Sequence, residues 1–168
     1  MILSLKNIFI SEGESEEFSA NLDMSSVQTL LEKPVKEPVS VEGVLRNSAG
    51  VVTISYRVST LLKANCARCF DEVRMPFSEE YEHTVVKDIT SEEDEGDFIL
   101  SENDELVLDD IVSSDLLLSL PSRFYCSDNC KGLCPVCGKN LNKGSCECVP
   151  EEDNISKKLS SLGDLLNK

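Results

Sequence analysis

Eight cysteines fall as four close pairs, Cys66/Cys69, Cys126/Cys130, Cys134/Cys137 and Cys146/Cys148, and no other feature limits the fold so strongly. Zinc prefers four thiolates in a tetrahedron at about 2.3 Å, and a close pair lets one tight turn supply two of them. Four pairs therefore match the ligands of two zinc ions per chain. The stretch "CPVCG" at 134–138 has the form of a zinc knuckle. Its proline stiffens the turn, and its glycine permits the positive φ that aims backbone N–H groups at sulfur. The nearest second pair, Cys146/Cys148, lies across "GKNLNKGS", a length and glycine content suited to a hairpin. A local closure of these four leaves Cys66/Cys69 to share an ion with Cys126/Cys130. Spacing alone leaves two other pairings open, with Cys66/Cys69 joined to Cys134/Cys137 or to Cys146/Cys148.

Other uses of cysteine fit less of the pattern. A C-x-x-C is also a thiol redox motif, but that accounts for one pair and not four. Iron–sulfur clusters use four cysteines as well, though a knuckle with Pro and Gly favours zinc. The single histidine, His83, lies in a charged, strand-like stretch and reads as a surface residue, not a catalytic base. Catalytic zinc keeps an open position or a non-Cys ligand beside a general base. No such group stands out, so the chain reads as non-enzymatic.

The start, "MILSLKNIFI", lacks the basic region and cleavage site of a signal peptide. No run approaches the ~18 apolar residues of a membrane span. The expectation is a cytoplasmic protein, where cysteines serve as metal ligands more often than as disulfides. The formal net charge is −15. Asp88 to Asp110 alone holds eleven acids and no Lys or Arg, so −11 sits in one segment and −4 in the remainder. Around the later cysteines Arg123, Lys131, Lys139 and Lys143 face only Asp128 and Glu147, a locally basic region.

The apolar pattern predicts an α+β fold, an antiparallel β meander with a few short helices and a C-terminal zinc-ribbon-like module. "ILSLKNIFI" alternates as a first strand, "SEGESEEF" reads as a polar loop, and "SSVQTLLEKP" offers a helical turn or two before Pro34. Val39 and Val41, with a slip at Gly43–Val44, lead to the turn "NSAG"; Val52, Ile54, Tyr56 and Val58 then recur at period two, a hairpin. The second strand runs into Cys66–Cys69, and "FDEVRMPFSEEYEHTVV" resumes a strand beyond it, which puts the C-x-x-C in a hairpin turn. "FIL" and "ELVLDD" read as short strand pieces. Asp109 or Asp110 caps a helix with Ile111, Leu116 and Leu120 on one face, stopped by Pro121. The expected divisions are a main domain over 1–125 with an acidic loop at 88–110, a cysteine module over 126–150, and an amphipathic helix over 151–168.

In order of features, residues 40–166 resemble the YceD family, the large ribosomal RNA subunit accumulation proteins. The resemblance rests on "CARCF" after a hairpin, "DLLLSLPSRFYCSDNCKGLCPVCGKNLNKGSCEC" after an acidic stretch, and a short leucine-bearing tail. It implies a non-enzymatic factor needed for accumulation of the 23S RNA of the large subunit, acting through ribosome assembly. The chain departs at Asp153-Asn154-Ile155, where similar proteins often read Asp-Pro-Arg. The implied partner is a ribosomal protein or the ribosomal RNA of the large subunit. In one version the zinc-held unit docks while the acidic segment mimics RNA charge. In the other, Arg68, Arg74, Arg123, Lys131, Lys139 and Lys143 contact phosphate. The alternatives are a zinc-stabilised protein-interaction module unrelated to ribosomes, and a thiol oxidoreductase.

Overall fold

Two stretches of apolar residues at period two, on either side of the turn at Ala49–Gly50, decide the centre of the sheet. The computed structural model describes residues 1–29, 32–87 and 98–148. Its elements are β1 (Ile2–Ser4), α1 (Lys6–Ile10), β2 (Ser15–Leu22), β3 (Val39–Ser48), β4 (Val51–Asn65), β5 (Glu72–Val86), β6 (Phe98–Leu100), β7 (Glu105–Val107) and α2 (Leu108–Ser119). Strands β2-β3-β4-β5-β6 form one sheet, and β1 pairs with β7 in a second. The chain divides into two compact units: Met1–Ala64 with Glu72–Phe124, and Asn65–Asp71 with Tyr125–Lys168, the latter described to residue 148.

In the first unit β3 and β4 form the expected hairpin, paired from Ser40↔Ser59 to Ser48↔Val51. Ala49 and Gly50 both have positive φ, 52° and 84°. That is the two-residue turn whose twist matches its strands. Asn47 fixes it: its Oδ1 accepts from the Gly50 N–H at 3.1 Å, and its Nδ2 donates to the Ile8 carbonyl at 2.7 Å. Val39, Val41, Leu45 and, on β4, Val52, Ile54, Tyr56, Val58, Leu62 and Ala64 are buried.

There is no slip at Gly43. Its register with Tyr56 and Phe18 continues the ladder without a bulge, and Val44 turns to the opposite face. The glycine is there for space. A Cβ would lie 2.5 Å from Tyr56 Cβ and 2.6 Å from the Ser55 carbonyl oxygen. Gly43→Ala is therefore expected to cost about 1–3 kcal/mol of stability, read as a lower denaturant midpoint; an unchanged midpoint would mean the strands part freely here.

Other expectations need correction. Only Ile2–Ser4 of "ILSLKNIFI" is a strand; Lys6–Ile10 is a short helix, because Leu5 and Ile8, three residues apart, both go fully into the core. Much of "SEGESEEF" belongs to β2, which begins at Ser15. The described part of "SSVQTLLEKP" forms turns, with the Val27 N–H on the Met24 carbonyl, and no helix. The sheet is not a pure meander, since β6 pairs parallel with β5, Thr84↔Phe98 to Val86↔Leu100. Residues 88–97 of the acidic segment, and the tail helix expected over 151–168, lie outside the described residues; residues 98–110 supply β6, β7 and the start of α2.

Helix α2 begins one residue before the expected caps. Asp109 and Asp110 sit in its first turn, where carboxylates favour the positive end of the helix dipole. Leu108, Val112 and Leu116 are buried, with Leu120 just past the end and Ile111 packed against the core. Asp115 is buried too. It accepts from the Tyr56 hydroxyl and pairs with His83 Nε2 at 2.8 Å, tying α2 to β4 and β5. His83 is thus half-buried and engaged, not a surface residue. Burial, and then the Asp115 carboxylate, hold the Tyr56 phenol well above its ordinary range.

Candidate metal centres

All eight cysteines belong to the second unit. The chain leaves β4 at Asn65, turns through Cys66–Cys69, and re-enters the sheet at Glu72. Within the turn the Phe70 N–H donates to the Cys66 carbonyl at 2.9 Å, and the Cys66 N–H to the Asp71 carbonyl at 2.9 Å. The same two bonds recur at Cys134–Cys137: Gly138 N–H to Cys134 carbonyl at 2.9 Å, and Cys134 N–H to Lys139 carbonyl at 2.8 Å. Both turns are knuckles; Cys66, Cys69 and Cys134 are buried and Cys137 is exposed.

The sulfurs gather as Cys66, Cys69, Cys126, Cys130 and as Cys134, Cys137, Cys146, Cys148, each group lying within 4.8 Å. This is the local grouping. Cys66 and Cys130 stand 3.8 Å apart, Cys69 and Cys126 3.6 Å. A disulfide needs about 2.05 Å. A tetrahedron with metal–sulfur bonds of about 2.3 Å has edges of about 3.8 Å. Either group could hold one metal ion.

Backbone N–H groups prepare one thiolate in each. Burial alone raises the Cys66 thiol, but donors from Arg68, Cys126 and Cys69 outweigh it and bring it down to about 6. The N–H groups of Cys137 and Val136, with the Cys146 thiol, bring Cys134 down to about 6. An Asp71 N–H lowers Cys69, yet burial and the crowding thiols of Cys66, Cys126 and Cys130 push it up to about 12. The neighbouring Cys137 thiol pushes Cys148 up to about 12. Four thiols this close resist ionising together unless a cation joins them.

Sequence reasoning missed the residues that lock the two groups into one scaffold. Asn142 donates from Nδ2 to Cys130 Sγ at 3.3 Å and accepts the Lys131 N–H on Oδ1 at 2.8 Å. Asn140 Nδ2 and Lys143 Nζ both bind the Asp71 carboxylate, at 2.9 and 2.7 Å. The loop between the second group's pairs thus grips the first knuckle. Lys143 holds the Asp71 carboxyl below its usual range. The only signal in sequence was the asparagine-rich "KNLNK", which reads equally as a polar loop. Groups that orient thiolates typically change metal affinity about 10–100-fold. Asn142→Ala is expected to weaken metal at the first group by that factor and spare the second, as read by competition with a chromophoric chelator; equal affinity would leave Asn142 only a loop brace.

The basic candidates are dispersed. Arg68 lies 4.9 Å from the Tyr125 ring centre and donates to the Asp128 and Cys130 carbonyls, both at 3.2 Å. Lys139 donates to the Ser145 carbonyl at 2.6 Å. Arg74, on β5 in the first unit, pairs with Glu72 at 2.7 Å. Arg123 and Lys131 are exposed.

A family model described as "Large ribosomal RNA subunit accumulation protein YceD" matches residues 54–166, a span that contains every cysteine pair. The chain belongs to the YceD family. It is also 24% identical over 161 residues to "Uncharacterized protein YlbN" of Bacillus subtilis (strain 168), covering 92% of this chain and 90% of that protein. No solved structure matches. The YceD match extends beyond the cysteine unit into β4, β5 and α2, so the sheet strands that flank the first knuckle and the helix before Cys126 lie inside it. Among the described residues no helix is long and apolar enough to cross a membrane.

Proposed function

We propose that this YceD-family chain is a non-enzymatic, zinc-stabilised accessory factor for accumulation of large-subunit ribosomal RNA, working in the cytoplasm during ribosome assembly. One observation carries the metal part. Every residue of the apolar core cluster belongs to the first unit, and the buried side chains among the described residues of the second are Cys66, Cys69, Cys130 and Cys134. Pieces this short, with no apolar core, need a metal, disulfides or a partner to fold. The four-sulfur groups are also too tight to enclose several irons with their bridging sulfides, which supports zinc and a single ion in each.

Four cysteines per site leave no open position for substrate, the character of structural zinc. The second group, whose first pair is bracketed by the Leu133↔Asn140 bridge, would be the ribbon-like module of the expected 126–150 division. The ribosomal part is supported by the family's description. Of the six basic candidates, Arg68, Lys139 and Lys143 are engaged in the scaffold and Arg74 is paired with Glu72, so a protein partner of the large subunit is favoured over extensive phosphate contact. The test is genetic. Deleting the gene should lower large-subunit RNA relative to small-subunit RNA, and restoration by the wild-type gene should fail when Cys66, Cys69, Cys126 and Cys130 are replaced; an unchanged ratio would remove the ribosomal reading.

A further inference from the structure

The two knuckles share both of their backbone hydrogen bonds, yet differ at the residue after the second cysteine. In one it is Gly138, at φ 72°; in the other it is Phe70, at φ 60°. That region is left-handed, open to glycine and strained for a bulky residue. A Cβ at Gly138 would meet nothing within 4 Å, so the conformation does not itself call for a large side chain. Phe70 is 69% exposed. It incurs the strain yet stays mostly exposed among the described residues, which points to a benefit outside them. The other large apolar side chains exposed in this unit are Tyr125 and Val136, the latter at the tip of the second knuckle.

From this geometry we infer that Phe70 is an aromatic anchor, held outward by the first knuckle, that inserts into an apolar pocket of a protein partner. The choice of protein over RNA rests on the proposed metal loading. The described residues of this unit carry Arg68, Lys131, Lys139 and Lys143 against Asp71, Asp128 and Glu147. Two zinc–tetrathiolate centres add about −4, which turns the formal charge of these residues from +1 to about −3. A phosphate backbone is repelled by it. A pocket bordered by Lys or Arg is attracted.

The experiment uses the full zinc-loaded chain with two probes, the protein fraction extracted from purified large ribosomal subunits and protein-free large-subunit RNA. Phe70→Gly keeps the backbone conformation, and Phe70→Asn supplies a residue that tolerates it. Both should retain two zinc ions and an equal or higher melting temperature, yet bind the protein fraction on the order of 30-fold more weakly, as expected for an interface aromatic. A photo-crosslinking phenylalanine analogue at position 70 should label one ribosomal protein. Undiminished binding by both variants, or no binding of the protein fraction by wild type, overturns the anchor. Binding of RNA alone, lost in both variants, overturns the protein pocket and makes Phe70 a base-stacking residue. Loss of zinc in both variants makes it a structural residue. If the wild type itself holds no zinc, it is the metal reading that fails.

Discussion

Stripping the metal with a strong chelator should erase the ordered structure of residues 65–71 and 125–148 and leave the sheet of the first unit folded. The first unit keeps its own core from Leu3 to Phe124. The second holds its turns with scattered hydrogen bonds, one isolated bridge and eight thiols. Structural zinc contributes about 10–16 kcal/mol in small peptides, as large as the whole 5–15 kcal/mol or so of a typical domain. Hydrogen exchange resolves the outcome. The amides of Phe70, Cys66, Gly138 and Cys134, bonded within the knuckles, should lose protection, while those of β3 and β4 should keep it. Protection retained in the knuckles after chelation would mean that hydrogen bonds alone suffice.

The second large effect is expected from Cys66→Ser and Cys134→Ser, the thiols brought down to about 6 in their respective groups. Each should reduce the zinc content from two ions to one. The pH dependence follows from the same values. Within the folded knuckles Cys66 and Cys134, lowered from an ordinary 9.0, take up protons as pH falls through about 6. Cys69 and Cys148, raised to about 12, carry protons at neutral pH that zinc must displace. Both facts make zinc affinity fall on acidification, with proton uptake as the metal leaves. Isothermal titration in buffers of different ionisation heat counts those protons; zinc binding independent of pH between 5 and 8 would exclude thiolate ligands.

The cysteine sites were legible in sequence because the residue is scarce and its pairs are local. The hairpin was legible because Val52, Ile54, Tyr56 and Val58 recur at period two. Helix α1 was hidden, since Leu3, Leu5 and Phe9 keep the parity of a strand, and only packing, which buries Leu5 and Ile8 together, decides for the helix. The parallel β6 offered three residues, too few for any period. Asp115 carries no signal of its own in the sequence; its partners Tyr56 and His83 lie 59 and 32 residues away, a distance no local pattern spans. Asn140 and Asn142 were invisible for the same reason, because the atoms they hold, on Asp71 and Cys130, become neighbours only when the chain closes. Phe70 was in plain view, but its exposure and its left-handed backbone belong to the folded state.

The most direct measurement is metal analysis of the protein purified without added metal, with thiol titration on the same sample. The account predicts close to two zinc ions per chain and eight thiols that react only after the protein is denatured or chelated. Metal-free protein with eight readily titrated thiols, or iron in place of zinc, would contradict it.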